Sequence, residues 1–524
     1  MALSFRSPSP ALLALSAVLA TLTACDKPTP SAVNAPPAAA AHPAVPSSIH
    51  WQEGKLDEAL AEAKKTGKPL LLYWGAVWCP PCNRLKSTTF KDPAFIAQAQ
   101  QFIAVHLDGD LEEAQAAGER FAVKGYPTII MLRPDGTEIT RLIGDTTTAQ
   151  LIDSLHTATQ LSGGTQQLLQ LALKQPASLK QDEWSLLANY AWLYDNHLVD
   201  AKEAPRVLAA LAKAAPQPAL QRQFQLQAVL IAKQKPVADP ATYALLQAVL
   251  ADPAEVRDNL HVLLPNAATL VAASTADPGK RATLSQTFEQ VLTRSYADPT
   301  LPISDRLRTA SATIDLARLA QGQTDETNEK KPKPPLPAAV VETVHQRVQW
   351  AVTAAKTAEE RQSTIASAMH LLVEVGDNDA AEKLLTAELG RTKTPSYYMP
   401  YLGHLAEDRG DSKTALSWFK KAYETPGSEG MIVYRGMTYL DALIRLKPDD
   451  GTAIEALTTQ VIGDLARQTD GYLSDNRQHF EPVAEALKAW GKQHPAQGKA
   501  MLARLHQKAQ TVCGNKTECV AWLG

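Results

Sequence analysis

Apolar positions in the first third of the chain change period several times. Leu56, Ala59, Leu60 and Ala63 share one face of a 3.6-residue repeat, so Leu56 to Lys65 predicts a helix. The run Pro69-Leu70-Leu71-Leu72-Tyr73-Trp74 is apolar without alternation and predicts a buried strand. Asn83-Arg84-Leu85-Lys86 follows as the opening of a helix, and Phe102-Ile103-Ala104-Val105-His106-Leu107 as a second strand. Leu111 to Phe121 predicts another helix. Pro134-Asp135-Gly136 marks a turn between strands Thr128 to Leu132 and Thr137 to Ile143, and Thr148 to Leu161 closes the series as a helix. This alternation predicts an α/β domain with a mixed sheet over residues 48–162, bounded by Ser162-Gly163-Gly164.

From residue 165 onward the period is helical throughout, in two stretches, 165–321 and 338–508. Asp239-Pro240, Asp252-Pro253 and Lys447-Pro448-Asp449 are local stop and start signals. Between the stretches, 322–337 carries four prolines with Asp325-Glu326 and Glu329-Lys330-Lys331, and reads as an exposed loop or hinge. Gly376-Asp377 recurs as Gly410-Asp411, and Ala381 as Ala415, a shift of 34 residues. With Leu402-Gly403, Phe419 and Ala422, this resembles the tetratricopeptide repeat, in which small residues let paired helices approach closely. The alternative is a generic helical bundle whose Ala-Leu pattern mimics a repeat.

The N-terminus follows another logic. Arg6 precedes an apolar core, Ala11 to Ala20, of signal-peptide length, ending in Leu22-Thr23-Ala24-Cys25. That ending resembles a bacterial lipobox, which implies cleavage before Cys25, its lipidation, and anchoring of the mature chain to a membrane. Asp26 then resembles an inner-membrane retention signal. The alternative is an ordinary signal peptide with an incidental cysteine. Residues 26–47 are rich in Pro, Ala and Ser and read as a tether. At about 3.1 Å per residue in polyproline geometry it reaches on the order of 60 Å.

Candidate chemistry concentrates at Trp78-Cys79-Pro80-Pro81-Cys82, between the buried strand and a helix. Positions i and i+3 of a first helical turn share a face, so the two sulfurs can meet and form a redox pair. The first sulfur sits at the positive helix end, which stabilises its thiolate, the nucleophile. Pro80 and Pro81 are tolerated there because first-turn amides have no internal partner, and they leave only the Cys82 amide to donate to Cys79. A structural zinc half-site or an inert disulfide is the competing reading. Zinc needs four ligands, and neither a second Cys-x-x-Cys nor a His-x-x-x-His accompanies this one.

Trp-Cys-Pro-Pro-Cys after an apolar strand resembles the thioredoxin superfamily. About 45 residues on, Val123-Lys124-Gly125-Tyr126-Pro127-Thr128 precedes an apolar strand, as that fold requires. The stretch from Cys82 to Phe90 and Lys91-Asp92-Pro93 resembles the periplasmic thioredoxin-like domain of the DsbD reductases. The resemblance covers residues 50 to 160. It implies that Pro127 is cis and faces the disulfide, with Tyr126 beside it, and that Trp78 covers the active-site edge. It also implies attack by Cys79 and resolution by Cys82, client protein disulfides or thiols as substrates, and a DsbD-type membrane partner to recharge the pair. One position departs from the family. Where many thioredoxins have a buried aspartate as proton acceptor for the second thiol, this chain has Tyr73, a poor base at neutral pH. Release of the mixed disulfide is therefore expected to be slower, or to use water or another side chain.

Composition narrows the rest. At 524 residues, two or three domains are expected. A net charge of −3 and no long basic run argue against nucleic acid. The 12 histidines lack ligand spacing, no phosphate-binding or dinucleotide fingerprint is present, and no metal or organic cofactor is expected. His106 reads as a core residue. Five cysteines, one in the lipobox, suit an extracytoplasmic protein of the bacterial envelope. In the tail, 509–524, Cys513 and Cys519 read as a structural bridge, with a second redox pair as the sharper alternative. The sequence thus points to a membrane-tethered, periplasm-facing thiol–disulfide oxidoreductase that reduces client disulfides. The rivals are a helical adaptor whose Cys-x-x-Cys is structural, and a disulfide isomerase.

Overall fold

The computed structural model describes residues 48–144, 146–232, 238–323, 334–426, 430–468, 474–514 and 520. The leader, Cys25, Asp26 and the 26–47 tether lie outside the described residues, as do Cys519 and most of the 322–337 loop.

The first region runs β1 (Gln52–Glu53), α1 (Leu56–Thr66), β2 (Leu70–Gly75), α2 (Pro80–Ser87), α3 (Pro93–Ala99), β3 (Ile103–Asp108), α4 (Glu112–Arg120), β4 (Thr128–Leu132), β5 (Glu138–Ile143) and α5 (Thr148–Gln160). The sheet order is β1-β3-β2-β4-β5. β1 and β2 run parallel to β3, while β4 is antiparallel to β2 and β5 antiparallel to β4. The mixed sheet expected from the sequence is therefore present. β2 lies at its centre with every residue buried. Leu71 and Tyr73 pack in the core that holds Cys79 and Cys82 with parts of α3 and α5. Leu70, Leu72 and Trp74 pack in the opposite core with α1 and α4. Burial on both faces explains why the strand reads as a continuous apolar run.

Two elements were not anticipated, the two-residue edge strand β1 and helix α3. The latter begins at Asp92-Pro93, where the Asp92 carboxylate accepts from the amides of Ala94 (2.8 Å) and Phe95 (3.1 Å). Asp239 and Asp252 cap helices Pro240–Ala251 and Pro253–Asp258 in the same way, so Asp-Pro acts here as a start signal.

From Thr165 on, every regular element among the described residues is helical. The 34-residue recurrence is visible as repeated turn chemistry. Helix Ala358–Glu374 pairs with Asn378–Leu389, and Pro395–Asp408 with Ser412–Glu424. In both turns a glycine is left-handed, Gly376 at φ 84° and Gly410 at φ 78°. The next amide returns to the preceding helix, Asp377 to the Leu372 carbonyl at 2.8 Å and Asp411 to Ala406 at 2.9 Å. Each aspartate then caps the following helix, accepting at 3.0 Å from Ala380 or Thr414. Gly403 lets the Phe419 ring approach to 2.8 Å of where a Cβ would stand.

The junction at 162–164 is a boundary in sequence and not a gap in space. Thr165 Oγ1 donates to the Ile139 carbonyl of β5 (2.7 Å), and the described residues from Ser48 onward belong to one compact unit. No helix among the described residues is long and apolar enough to cross a membrane.

Candidate active site around Cys79 and Cys82

β2 delivers the chain to a short loop, and Cys79 becomes the N-cap of α2. Pro80 and Pro81 fill the first helical positions. The Cys82 amide donates to Cys79 Sγ at 3.2 Å, and the two cysteines form a disulfide with Cα atoms 5.2 Å apart. Asn83 locks the loop by donating from Nδ2 to the carbonyls of Val77 and Cys79, both at 2.9 Å.

The second motif arrives from the other side of β2. The Tyr126–Pro127 peptide is cis, directly ahead of β4. The Tyr126 ring meets Trp78 edge-on at 5.5 Å, so the residues beside Pro127 and Cys79 are in contact. A residue the sequence did not flag joins them. Buried Asp110 accepts from Trp78 Nε1 (2.6 Å) and from the Tyr126 hydroxyl (3.3 Å). Its signal was the Asp108-Gly109-Asp110 turn after β3. Gly109 is required for this approach, since a Cβ there would lie 2.5 Å from both Trp74 and Tyr126.

Behind the disulfide, Tyr73 stacks on His106 at 4.8 Å and meets Phe90 at 4.9 Å. Its buried hydroxyl has no hydrogen-bond partner. Burial, with Asp108 and Glu53 nearby, pushes that hydroxyl above its ordinary pKa. Tyr126 is raised for the same main reason, burial, with Asp110 adding to it. His106, expected in the core, is partly buried, with Nδ1 at 2.6 Å from Glu53 Oε2. On α2, burial lowers the Lys86 pKa.

The pair is closed over by the helical region. Cys79 is 1% exposed and Cys82 0%. Helix Ala358–Glu374 packs on α2. Arg84 forms a buried two-bond ion pair with Asp305 of helix Ile303–Ala320, Nε to Oδ1 at 2.9 Å and Nη2 to Oδ2 at 2.7 Å. Gln362 Nε2 donates to the Trp78 carbonyl at 2.7 Å. The Tyr397 ring stacks on Trp78 at 5.6 Å. Burial lowers the pKa of Arg435, and the charge of Asp110 opposes that shift. In the tail, Cys513 is buried and disulfide-bonded at the end of helix Gly498–Cys513, and Cys519, its expected partner, lies outside the described residues.

Comparison with known proteins agrees with this architecture. A family model described as a thioredoxin-like domain matches residues 56–159. Thioredoxin H-type from Oryza sativa subsp. indica is 31% identical over 91 residues, covering 17% of this chain and 69% of that protein. Thioredoxin H5 from Arabidopsis thaliana is 30% identical over 89 residues, 17% of this chain and 70% of that one. Thiol:disulfide interchange protein DsbD 1 from Pseudomonas aeruginosa is 33% identical over 116 residues, 21% of this chain. Through these residues the chain belongs to the thioredoxin family. It spans only about a fifth, 20%, of the length of that DsbD relative.

Proposed function

We propose that the chain is an extracytoplasmic thiol–disulfide oxidoreductase that reduces client disulfides, held at the membrane through lipidated Cys25. The observation that carries the reading is the Cys79–Cys82 disulfide at the α2 N-terminus, with the Cys82 amide on Cys79 Sγ and the cis Tyr126–Pro127 peptide alongside. In the reduced protein the Cys79 thiolate attacks a client disulfide. A mixed disulfide forms and one client thiolate leaves. The Cys82 thiolate then attacks Cys79 Sγ, forming the Cys79–Cys82 bond and releasing the second client thiolate, so two electrons pass to the client. Pro127 and Tyr126 shape the surface beside the sulfurs. A membrane reductase of DsbD type returns the electrons. The tetratricopeptide-like region is the scaffold that accompanies this domain.

The decisive experiment combines two measurements. Equilibration against glutathione gives the potential of the pair, expected near the thioredoxin end of the range, about −270 mV, and not near about −120 mV. Cys82→Ser should accumulate a client linked to Cys79 that reductant releases. A strongly oxidising potential would make the protein an oxidase. Absence of any adduct would favour the second reading, a helical adaptor with a structural bridge. The near-complete burial of both sulfurs is what supports that alternative.

A further inference from the structure

We propose that Gln362, Asp305 and Tyr397 of the helical region are specificity-determining residues of the redox site, acting as a cover that separates small thiols from protein thiols. This deepens, and rests on, the oxidoreductase reading above. Thiol–disulfide exchange needs a thiolate to reach a sulfur of the bond. With Cys79 1% and Cys82 0% exposed, a protein thiol has no approach while the cover is seated.

Three contacts hold the cover, each on a different part of the site. The Arg84–Asp305 pair grips α2 two residues beyond Cys82, with both side chains buried. Tyr397 lies over the Trp78 ring. Gln362 grips the Trp78 carbonyl, which belongs to the peptide unit that carries the Cys79 amide. The Gln362 side chain is itself held, its Oε1 accepting from Thr392 Oγ1 (3.1 Å), Thr394 Oγ1 (3.2 Å) and the Tyr398 hydroxyl (3.3 Å). This buried amide, its oxygen held by three hydroxyls of its own region, aims its nitrogen at the backbone beside Cys79 and so serves the site.

A small dithiol needs only a local fluctuation of the ring pair. A protein needs the helices Ala358–Glu374 and Pro395–Asp408 to leave Trp78 together, a rarer, larger opening. The two substrates therefore respond differently to loss of a latch. Gln362→Glu is the cleanest change. The carboxylate still accepts from the three hydroxyls, but it has no donor for the Trp78 carbonyl. Asp305→Ala removes the carboxylate that Arg84 pairs with when closed, so the open form, where the guanidinium is hydrated, gains population.

The test starts from the oxidised full-length protein. Rates of Cys79–Cys82 reduction by dithiothreitol and by a reduced thioredoxin-sized dithiol protein are followed by quenched alkylation and mass spectrometry. The ratio of the first rate to the second should fall about threefold to tenfold in Gln362→Glu, the scale of one net hydrogen bond. It should fall on the order of tenfold or more in Asp305→Ala. If Asp305→Ala fails to fold, Tyr397→Ala, which removes the ring over Trp78 and leaves Asp305, Arg84 and Gln362 in place, should still lower the ratio. A ratio that stays constant or rises in the folded variants overturns the proposal, whether or not the absolute rates move. Failure of dithiothreitol to reduce the pair in any protein would instead overturn the oxidoreductase reading.

Discussion

Tyr73 shows how one side chain can occupy a chemically important position without doing its chemistry. Its hydroxyl is buried without a partner, and burial raises its pKa, so at neutral pH it keeps its own proton and does not accept one from Cys82. The ring, by contrast, is packed against Trp51, Phe90 and His106. Tyr73→Phe keeps the ring and removes an unpaired polar atom. Stability in urea should be unchanged or higher by up to about 1 kcal/mol, because no hydrogen bond is lost. Stopped-flow release of a mixed disulfide by Cys82 should keep its rate. A tenfold loss would make the hydroxyl a proton carrier after all. Tyr73→Asp, which restores a carboxylate, should speed release if proton removal limits it.

The same turn chemistry, used twice, sets the geometry of the paired helices. Gly410 has φ 78°, where an alanine is strained, and Asp411 supplies the cap of helix Ser412–Glu424. Gly410→Ala should cost about 1–2 kcal/mol and Asp411→Ala about 1 kcal/mol in thermal unfolding. Gly376→Ala and Asp377→Ala should match them, since the backbone bonds correspond one for one. A large mismatch between the two turns would show that they are not equivalent units. At this scale much was legible. Strand β2 announced itself because burial on both faces demands an apolar run, and Cys79, Cys82 and Pro127 because their local motifs require a strand-to-helix turn and a strand start. Edge strand β1 was not legible, because two residues carry no period, and α3 is too short to show one. Asp110 and the cover were hidden for another reason. Asp305 and Gln362 meet their partners 221 and 284 residues away, and one polar residue in a long helix carries no sign of what it will touch.

In the whole molecule, the redox domain is gripped on several elements at once. Besides the α2 contacts, Gln150 of α5 donates to the Asp258 carbonyl (3.0 Å) and to Asn189 Oδ1 (3.1 Å). On β5, Arg141 is 2% exposed. It pairs with Glu138, donates to the Phe121 carbonyl at 2.9 Å, and lies 3.6 Å from Asp195 of the helical region. Two regions joined only by a linker would unfold separately, each with its own midpoint. Shared buried charges oppose that, because separating the regions strands Asp195 and Arg141 without each other. Arg141→Ala should therefore cost about 3–5 kcal/mol, the scale for breaking a buried pair by removing one partner. The loss should appear together in Trp74 and Trp78 fluorescence, followed in a variant lacking the other tryptophans, and in the helical circular dichroism signal. Should the fluorescence midpoint shift while the helical signal stays in place, the β5 contact holds nothing beyond its own sheet. The helical region would then be tied to the redox domain through the α2 cover and the Gln150 contacts of α5.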